Sequence, residues 1–276
     1  MYTYKVPRPN VTVWAFGPKD AQRHGLLDWS LRSLQNQGDV QKHHRFATEL
    51  CIQLSKMGVQ RGYAPHVVPA SAQIVDATEL KDRIRLGRVD LFRQRDLPAD
   101  GIFLKPSQAF VMSAAGCPII TATDSGCKHM VVAHAGRDSL IDRGAVTGVP
   151  TRKHISVVHA IIDAFRERGI PAHQIDMCMQ FSIPTVAFEH EFSHPHHGRY
   201  NRALGEFVDE RWPGCTVRKN GSLFLNLQHV FLEQAARAHV RSLQAIEPLD
   251  EHPDLAHTRD GKDPGRRNLF IVKRNN

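Results

Sequence analysis

Two side chains in the stretch Gly101–Asp142 have the types and spacing for joint chemistry: Cys117 and His134, 17 positions apart, each at the edge of a short apolar run. Ala109–Ala115, Pro118–Ala122 and Met130–Ala133 are apolar and separated by small or turn-forming residues, the pattern of adjacent buried strands. Strands paired as neighbours would lay Cys117 beside His134, and Gly136 two positions on lets the backbone turn closely. Buried cysteine is also a common core residue, so position alone does not make Cys117 reactive. A thiolate with an imidazole suits Zn²⁺, a borderline-soft ion, and equally suits a nucleophile with its general base. Copper binds the same donors at least as strongly, so availability would decide the metal.

A second pattern competes. His190-Glu191-Phe192-Ser193-His194 matches HExxH, in which two histidines one helical turn apart bind zinc and the glutamate acts as general base. The motif needs an unbroken helix, yet Pro195 follows the second histidine directly and Pro184 lies just upstream. In a chain with 17 histidines, the stretch reads as a surface histidine cluster.

The elements that must position these residues alternate along the chain. Val11–Phe16 reads as a first strand, followed by a Gly- and Pro-containing loop, Gly17–Gly25. Val40–Met57 places Val40, Phe46, Leu50, Ile52 and Leu54 on one helical face, with Asp39 as N-cap and Gly58 as stop. Tyr63–Val75 reads as two extended pieces broken at Pro69, and Lys81–Asp96 as an exposed, charged helix or a mobile insertion. Further on come a helix over Ile155–Arg168 ended by Gly169, a strand over Ile175–Ile183, helices over Asn201–Trp212 and Gln228–Val240, and a strand over Asn268–Val272. No repeat, low-complexity tract or linker interrupts this order, so one α/β domain is the expectation.

Composition bounds the function. The chain has 276 residues, 41% hydrophobic and 23% charged, enough for a substantial core. It has no apolar run long enough for a membrane span and no secretory leader pattern, so a cytoplasmic location is expected. Five unevenly spaced cysteines fit reduced thiols. The net charge of +8 favours anionic partners, but the basic residues are not interleaved with aromatics in the manner of an RNA-binding surface, so nucleic acid is not the expected partner. Oligomeric state is left open.

Taken together, the motifs resemble the laccase-domain family, also called YfiH-like, multicopper polyphenol oxidase-like or peptidoglycan editing factor proteins. Ala99-Asp100-Gly101, Ala115-Gly116-Cys117-Pro118-Ile119-Ile120 and Ala133-His134-Ala135-Gly136 follow that family's order and spacing. Gly38-Asp39 and His44-Arg45 resemble the residues before its first helix, Cys178-Met179 falls at its GPCIG turn, and Arg259-Asp260-Gly261 with Gly265-Arg266 resembles its closing motif. The resemblance implies a single laccase-domain fold over residues 1–276, with a mixed β-sheet core flanked by helices and a charged insertion near 81–96. It also implies a metal site for Zn²⁺ or copper, with Cys117 and His134 as two ligands and His66 as the third; in another register Ala70 takes that place and the set stops at two.

By the same resemblance the activity would be that of a zinc-dependent transferase or hydrolase on a small nitrogen-containing substrate, anionic or nucleoside-like. Purine nucleoside phosphorolysis or deamination comes first, with Arg45, Arg137 or Arg266 binding an anionic group. Asp138 reads first as an exposed loop residue. Several loops differ from the family pattern: HAGWRG is here His134-Ala135-Gly136-Arg137-Asp138-Ser139, and the QVHG segment is missing. Two alternatives therefore stand beside the zinc enzyme, a non-catalytic binding or scaffold protein and a metal-free, amidase-like enzyme with Cys117 as nucleophile and His134 as base.

Overall fold

Charged and apolar residues alternate in the strand Asp82–Leu86, whereas the strands Gly101–Leu104, Gln108–Ala114, Ile119–Asp124, Met130–His134, Ile175–Gln180 and Asn268–Arg274 are buried almost throughout. The first pattern marks a half-covered strand and the second strands covered on both faces. The computed structural model describes residues 2–5, 10–34, 40–67, 71–246, 255 and 266–275. The chain begins with β1 (Tyr2–Lys5), β2 (Val11–Phe16), α1 (Pro18–Arg23), α2 (Val40–Lys56), β3 (Arg61–Tyr63), β4 (Ile74–Asp76), β5 (Asp82–Leu86) and β6 (Val89–Arg93). There follow β7 (Gly101–Leu104), β8 (Gln108–Ala114), β9 (Ile119–Asp124), β10 (Met130–His134), α3 (Arg137–Leu140), α4 (Arg143–Val146), α5 (Val157–Arg166) and β11 (Ile175–Gln180). The last part holds β12 (Glu189–Glu191), α6 (Gly198–Arg211), β13 (Thr216–Lys219), β14 (Ser222–Leu225), α7 (Leu227–Arg237), β15 (Ser242–Ile246) and β16 (Asn268–Arg274).

Two large mixed sheets carry the fold. One runs β1-β2-β16-β8-β3-β6-β5 and the other β15-β11-β9-β10-β7-β4, with a small third sheet β12-β14-β13. Side-chain alternation shows how they stack. Phe110 and Met112 of β8, and Phe270 and Val272 of β16, share one core with Ile102 of β7 and Met130 and Val132 of β10, so the two sheets face each other. The opposite faces meet helices: Val111 and Ile271 pack with Phe46, Leu50 and Leu54 of α2, while Val131 and Ala133 pack with α5 and α7 residues such as Ile161 and Phe231. Helix, sheet, sheet and helix therefore form four layers, the single α/β fold with mixed sheets that was expected.

The helix ends follow their local chemistry. Ser156 caps α5 by accepting from the Val158 N–H. At the end of α2, Gly58 takes φ +65°, its N–H bonds Ser55 O and the Val59 N–H bonds Leu54 O, which satisfies carbonyls the helix leaves open. Ile52, expected on the buried face of α2, is exposed.

Three expectations change. Lys81–Asp96 is neither a helix nor a loose insertion. Its β5 and β6 form a hairpin that extends the seven-stranded sheet, with Leu86 and Leu91 in the core and Arg83 and Arg85 paired to Asp90 across the strands. The turn is Gly87-Arg88, with Gly87 at φ +57°. The run Ala109–Ala115 does not neighbour the next two runs; as β8 it pairs with β16 and β3 in the other sheet. Strand β1 and the third sheet add to the expected elements. Gly38, Asp39, Pro69, Ala70 and the segment Arg259–Gly265 lie outside the described residues. No helix among the described residues is long and apolar enough to cross a membrane.

Candidate active site

Strand pairing places the reactive groups. The chain leaves the first sheet at the end of β8, passes through Gly116 at φ +92° and Cys117, and enters the second sheet at β9. Strand β9 runs antiparallel to β10 with Ile119 opposite His134, and Ala135 N–H donates to Pro118 O at 2.9 Å. Two steps further along the same register, Gly136 falls opposite Cys117. A Cβ on Gly136 would lie 2.9 Å from His134 Cε1, 3.0 Å from His134 Nε2 and 3.3 Å from Cys117 Sγ, so thiol and imidazole meet over bare backbone. Charge couples the two side chains.

The other edge of β10 supplies a third group. Strand β7 pairs there with Gly101 opposite Ala133, and one step on His134 N–H donates to Asp100 O at 2.8 Å. The Asp100 carboxylate is fully buried. Its Oδ1 lies 3.1 Å from His134 Nδ1 and accepts from Ser139 Oγ at 2.8 Å; its Oδ2 accepts from Ser71 Oγ at 3.1 Å and Ala72 N–H at 2.7 Å. Ser139 Oγ is also 2.9 Å from His134 Nδ1. A carboxylate only accepts, so the Nδ1 proton belongs on the Asp100 side and Nε2 is turned to Cys117.

This arrangement separates charge. Burial would push the Cys117 thiol up, but the imidazolium of His134, by charge and hydrogen bond, outweighs it, and with help from Arg267 the thiol lies below its ordinary value. Burial would push His134 down; the Cys117 thiolate and the Asp100 hydrogen bond reverse this and raise it to about 10. Both shifts favour a thiolate beside an imidazolium over the neutral pair, with the imidazole anchored from behind by a carboxylate.

Of the expected arginines, the structure brings Arg137 to this pair. Burial opposes its charge, and hydrogen bonds to Asp138 of 2.7 and 3.2 Å, with smaller help from the Cys117 thiolate, hold it charged. Asp138 is accordingly not an exposed loop residue: it binds Arg137, lies 3.8 Å from Arg143, and has a side chain only 16% exposed. Both arginines stack over the Tyr200 ring. Arg45 lies on α2 with its guanidinium against Gly25. Arg266 is half-buried just before β16, but the guanidinium that acts on Cys117 belongs to its neighbour Arg267.

The fit of a metal can be judged from the donors. His66 sits in a bridge to Pro98, with Nδ1 hydrogen-bonded to Arg95 O. Among the described residues no group of three or more His, Cys, Asp or Glu side chains is placed to hold a metal ion, so His66 does not complete a set with Cys117 and His134. Two donors do not make the closed or three-ligand site that zinc takes. The HExxH stretch fails on geometry too: His190 and Glu191 lie on β12 rather than a helix, and His194 Nδ1 accepts from the N–H groups of His196 and His197 at the start of α6.

The residues the sequence reading missed are Asp100, Ser139 and Arg267. Asp100 carried a signal, a carboxylate set directly before the apolar strand Gly101–Leu104. Ser139 and Arg267 had no local mark.

No family model matches the sequence, and no curated protein does. Solved structures do match, over nearly all of both chains. A Neisseria meningitidis protein of the DUF152 family superposes with a TM-score of 0.63 at 14% identity, covering 100% of this chain and 99% of its own. The Bacillus licheniformis hypothetical protein YfiH gives 0.60 at 13%, covering 98% of each. YlmD from Geobacillus stearothermophilus gives 0.66 at 13%, covering 99% of each. The chain thus has the YfiH-like, or laccase-domain, fold, as its motif order implied.

Proposed function

We propose that the chain is an enzyme in which Cys117 acts as a covalent nucleophile on a carbonyl carbon of a small molecule, an amidase-like acyl transfer. The observation that carries this reading is the meeting of Cys117 Sγ and His134 Nε2 beside Gly136, with the buried Asp100 behind the imidazole. The thiolate attacks the carbonyl carbon, forming a C–S bond and a tetrahedral oxyanion. Collapse of that intermediate breaks the bond to nitrogen as the His134 imidazolium protonates the leaving amine. Water, deprotonated by the now neutral His134, then attacks the thioester, releasing the acid and returning the thiolate and imidazolium. Asp100 keeps the imidazole in one tautomer and orientation throughout.

The zinc enzyme is the reading the family resemblance implies, and it uses the same two side chains. It lacks a third donor among the described residues, so no step is routed through a metal. Purine nucleoside chemistry rests on the resemblance alone.

The test is to purify the protein without a histidine tag and incubate it with a panel of small amides and nucleosides, with and without phosphate. The expected result is substoichiometric zinc, and an acyl adduct on Cys117 by mass spectrometry that is absent from Cys117→Ala. Stoichiometric zinc that disappears in Cys117→Ala, or phosphate-dependent release of a purine base, would replace this reading with the zinc enzyme. No metal and no turnover would leave the scaffold protein.

A further inference from the structure

A cavity of about 190 Å³ lies against the seven-stranded sheet, and its wall includes Arg32, Arg93, Arg267, His66 and Ser113 but, among the described residues, no carboxylate. It adjoins the nucleophile. Val67 and Met112, also in its wall, belong to the apolar cluster that Cys117 packs against, and the charge of Arg267 acts on the Cys117 thiolate. Arg267 is clamped by its backbone, whose N–H donates to Asp28 Oδ2 at 3.2 Å and whose carbonyl accepts from Trp29 N–H at 3.1 Å. Its Nη1 is nevertheless buried with no hydrogen-bond partner among the described residues. A guanidinium nitrogen in that state costs stability for want of an acceptor.

The cavity lined by Arg137 and Tyr200 differs. Arg137 and Arg143 in its wall are already met by Asp138, and Glu189 and Glu191 line it as well. Of these two cavities, the one at Arg267 offers arginines with no carboxylate among the described residues of its wall.

We infer that the Arg267 cavity binds an oxyanion group, a carboxylate or phosphate, carried by the substrate, and so holds the electrophilic carbon toward Cys117 Sγ. Guanidinium groups bind such anions through paired N–H bonds, and Arg93 and Arg32 line the same cavity. The inference rests on Cys117 being the nucleophile. It narrows the substrate to small acids or phosphate esters that also bear the reactive carbonyl.

Two alkylating reagents that differ mainly in charge separate the two ideas. Iodoacetate and iodoacetamide are each reacted with Cys117 in the full chain, and their rate ratio is compared with that of glutathione. The wild-type ratio is expected to favour iodoacetate by about tenfold or more over glutathione. It should fall toward the glutathione value in Arg267→Met, and part of the way in Arg32→Met, whose exposed site spares folding. Inorganic phosphate or acetate should protect wild-type Cys117 saturably, and whichever protects at lower concentration names the group. Ready reaction with iodoacetamide but a glutathione-like ratio unchanged in Arg267→Met would overturn the cavity and spare the nucleophile. If Cys117 reacts with neither reagent, the nucleophile reading fails. Calorimetric titration with phosphate and acetate then decides the cavity: binding lost in Arg267→Met sustains it, and no binding overturns it.

Discussion

The Cys117 and His134 pair makes stability depend on pH in a way that Cys117→Ala should erase. In the unfolded chain a cysteine titrates near about 8.5 and a histidine near about 6.5, whereas in the fold His134 is raised to about 10 and Cys117 is lowered. The raised histidine contributes stability that is fully present below about 6.5 and lost as pH rises through about 10. The lowered thiol contributes stability that is present above about 8.5 and lost as pH falls through its folded value. Once the pH is above the lowered value of Cys117, the folded pair holds one proton, as the unfolded chain does up to about 8.5, and the two slopes cancel. Above about 8.5 the unfolded cysteine gives up its proton while the folded pair keeps one. Over the interval of roughly 1.5 units up to about 10, at about 1.36 kcal/mol per unit, the fold should lose about 2 kcal/mol.

The assay is urea unfolding followed by the fluorescence of tryptophans, of which Trp29 is fully buried, for wild type and Cys117→Ala at half-unit steps from pH 7 to 10. Other titrating groups cancel in the difference between the two proteins. That difference should shrink by about 2 kcal/mol between about 8.5 and 10. A difference that stays flat to pH 10 would refute the ion pair, and with it the activated thiolate.

Two further substitutions probe the same geometry. Gly136→Ala should lower the rate of Cys117 alkylation by about tenfold and cost roughly 1–3 kcal/mol by urea unfolding, because the new methyl meets His134 Nε2 at 3.0 Å and Cys117 Sγ at 3.3 Å; an unchanged rate would mean that the two do not meet there. Asp100→Asn leaves four donors facing a group that is no longer an anion, so unfolding should be easier by roughly 2–4 kcal/mol and the pH optimum of alkylation should move up as His134 loses its anchor. A loss of stability with no movement of the pH profile would leave Asp100 a purely structural residue.

Much of the central site could be read from local pattern. The turn-separated runs around Cys117 and His134 are strands, and because β9 and β10 form a hairpin, a 17-residue spacing translates directly into contact. Asp100 was legible as a motif member but not as the partner of His134, since that contact spans 34 residues and depends on β7 lying along the far edge of β10. Arg267 reaches Cys117 only through the closing of one sheet upon the other, which no local pattern records. The β5 and β6 hairpin was hidden by its charge: Arg83 and Arg85 mask the period-two alternation of Ile84 with Leu86, and Val89 with Leu91 is too short a series to stand alone, although Gly87 marks the turn between them. The third ligand expected at His66 was a matter of register in a segment whose residues 68–70 lie outside the described structure.

Strand β16 lies between β2 and β8, and its residues pair with partners such as Val13 opposite Val272. The middle of the larger sheet is therefore assembled from the two most distant parts of the described chain. Loop closure over such a separation precedes the gain from pairing, which makes for slow formation. Until β16 inserts, β2 and β8 present open edges to each other and to other molecules, and Arg267, just ahead of β16, is not yet at the thiolate. The same late event that completes the sheet also arms the cysteine, so a chain caught before that event carries an aggregation-prone edge but not yet an activated nucleophile.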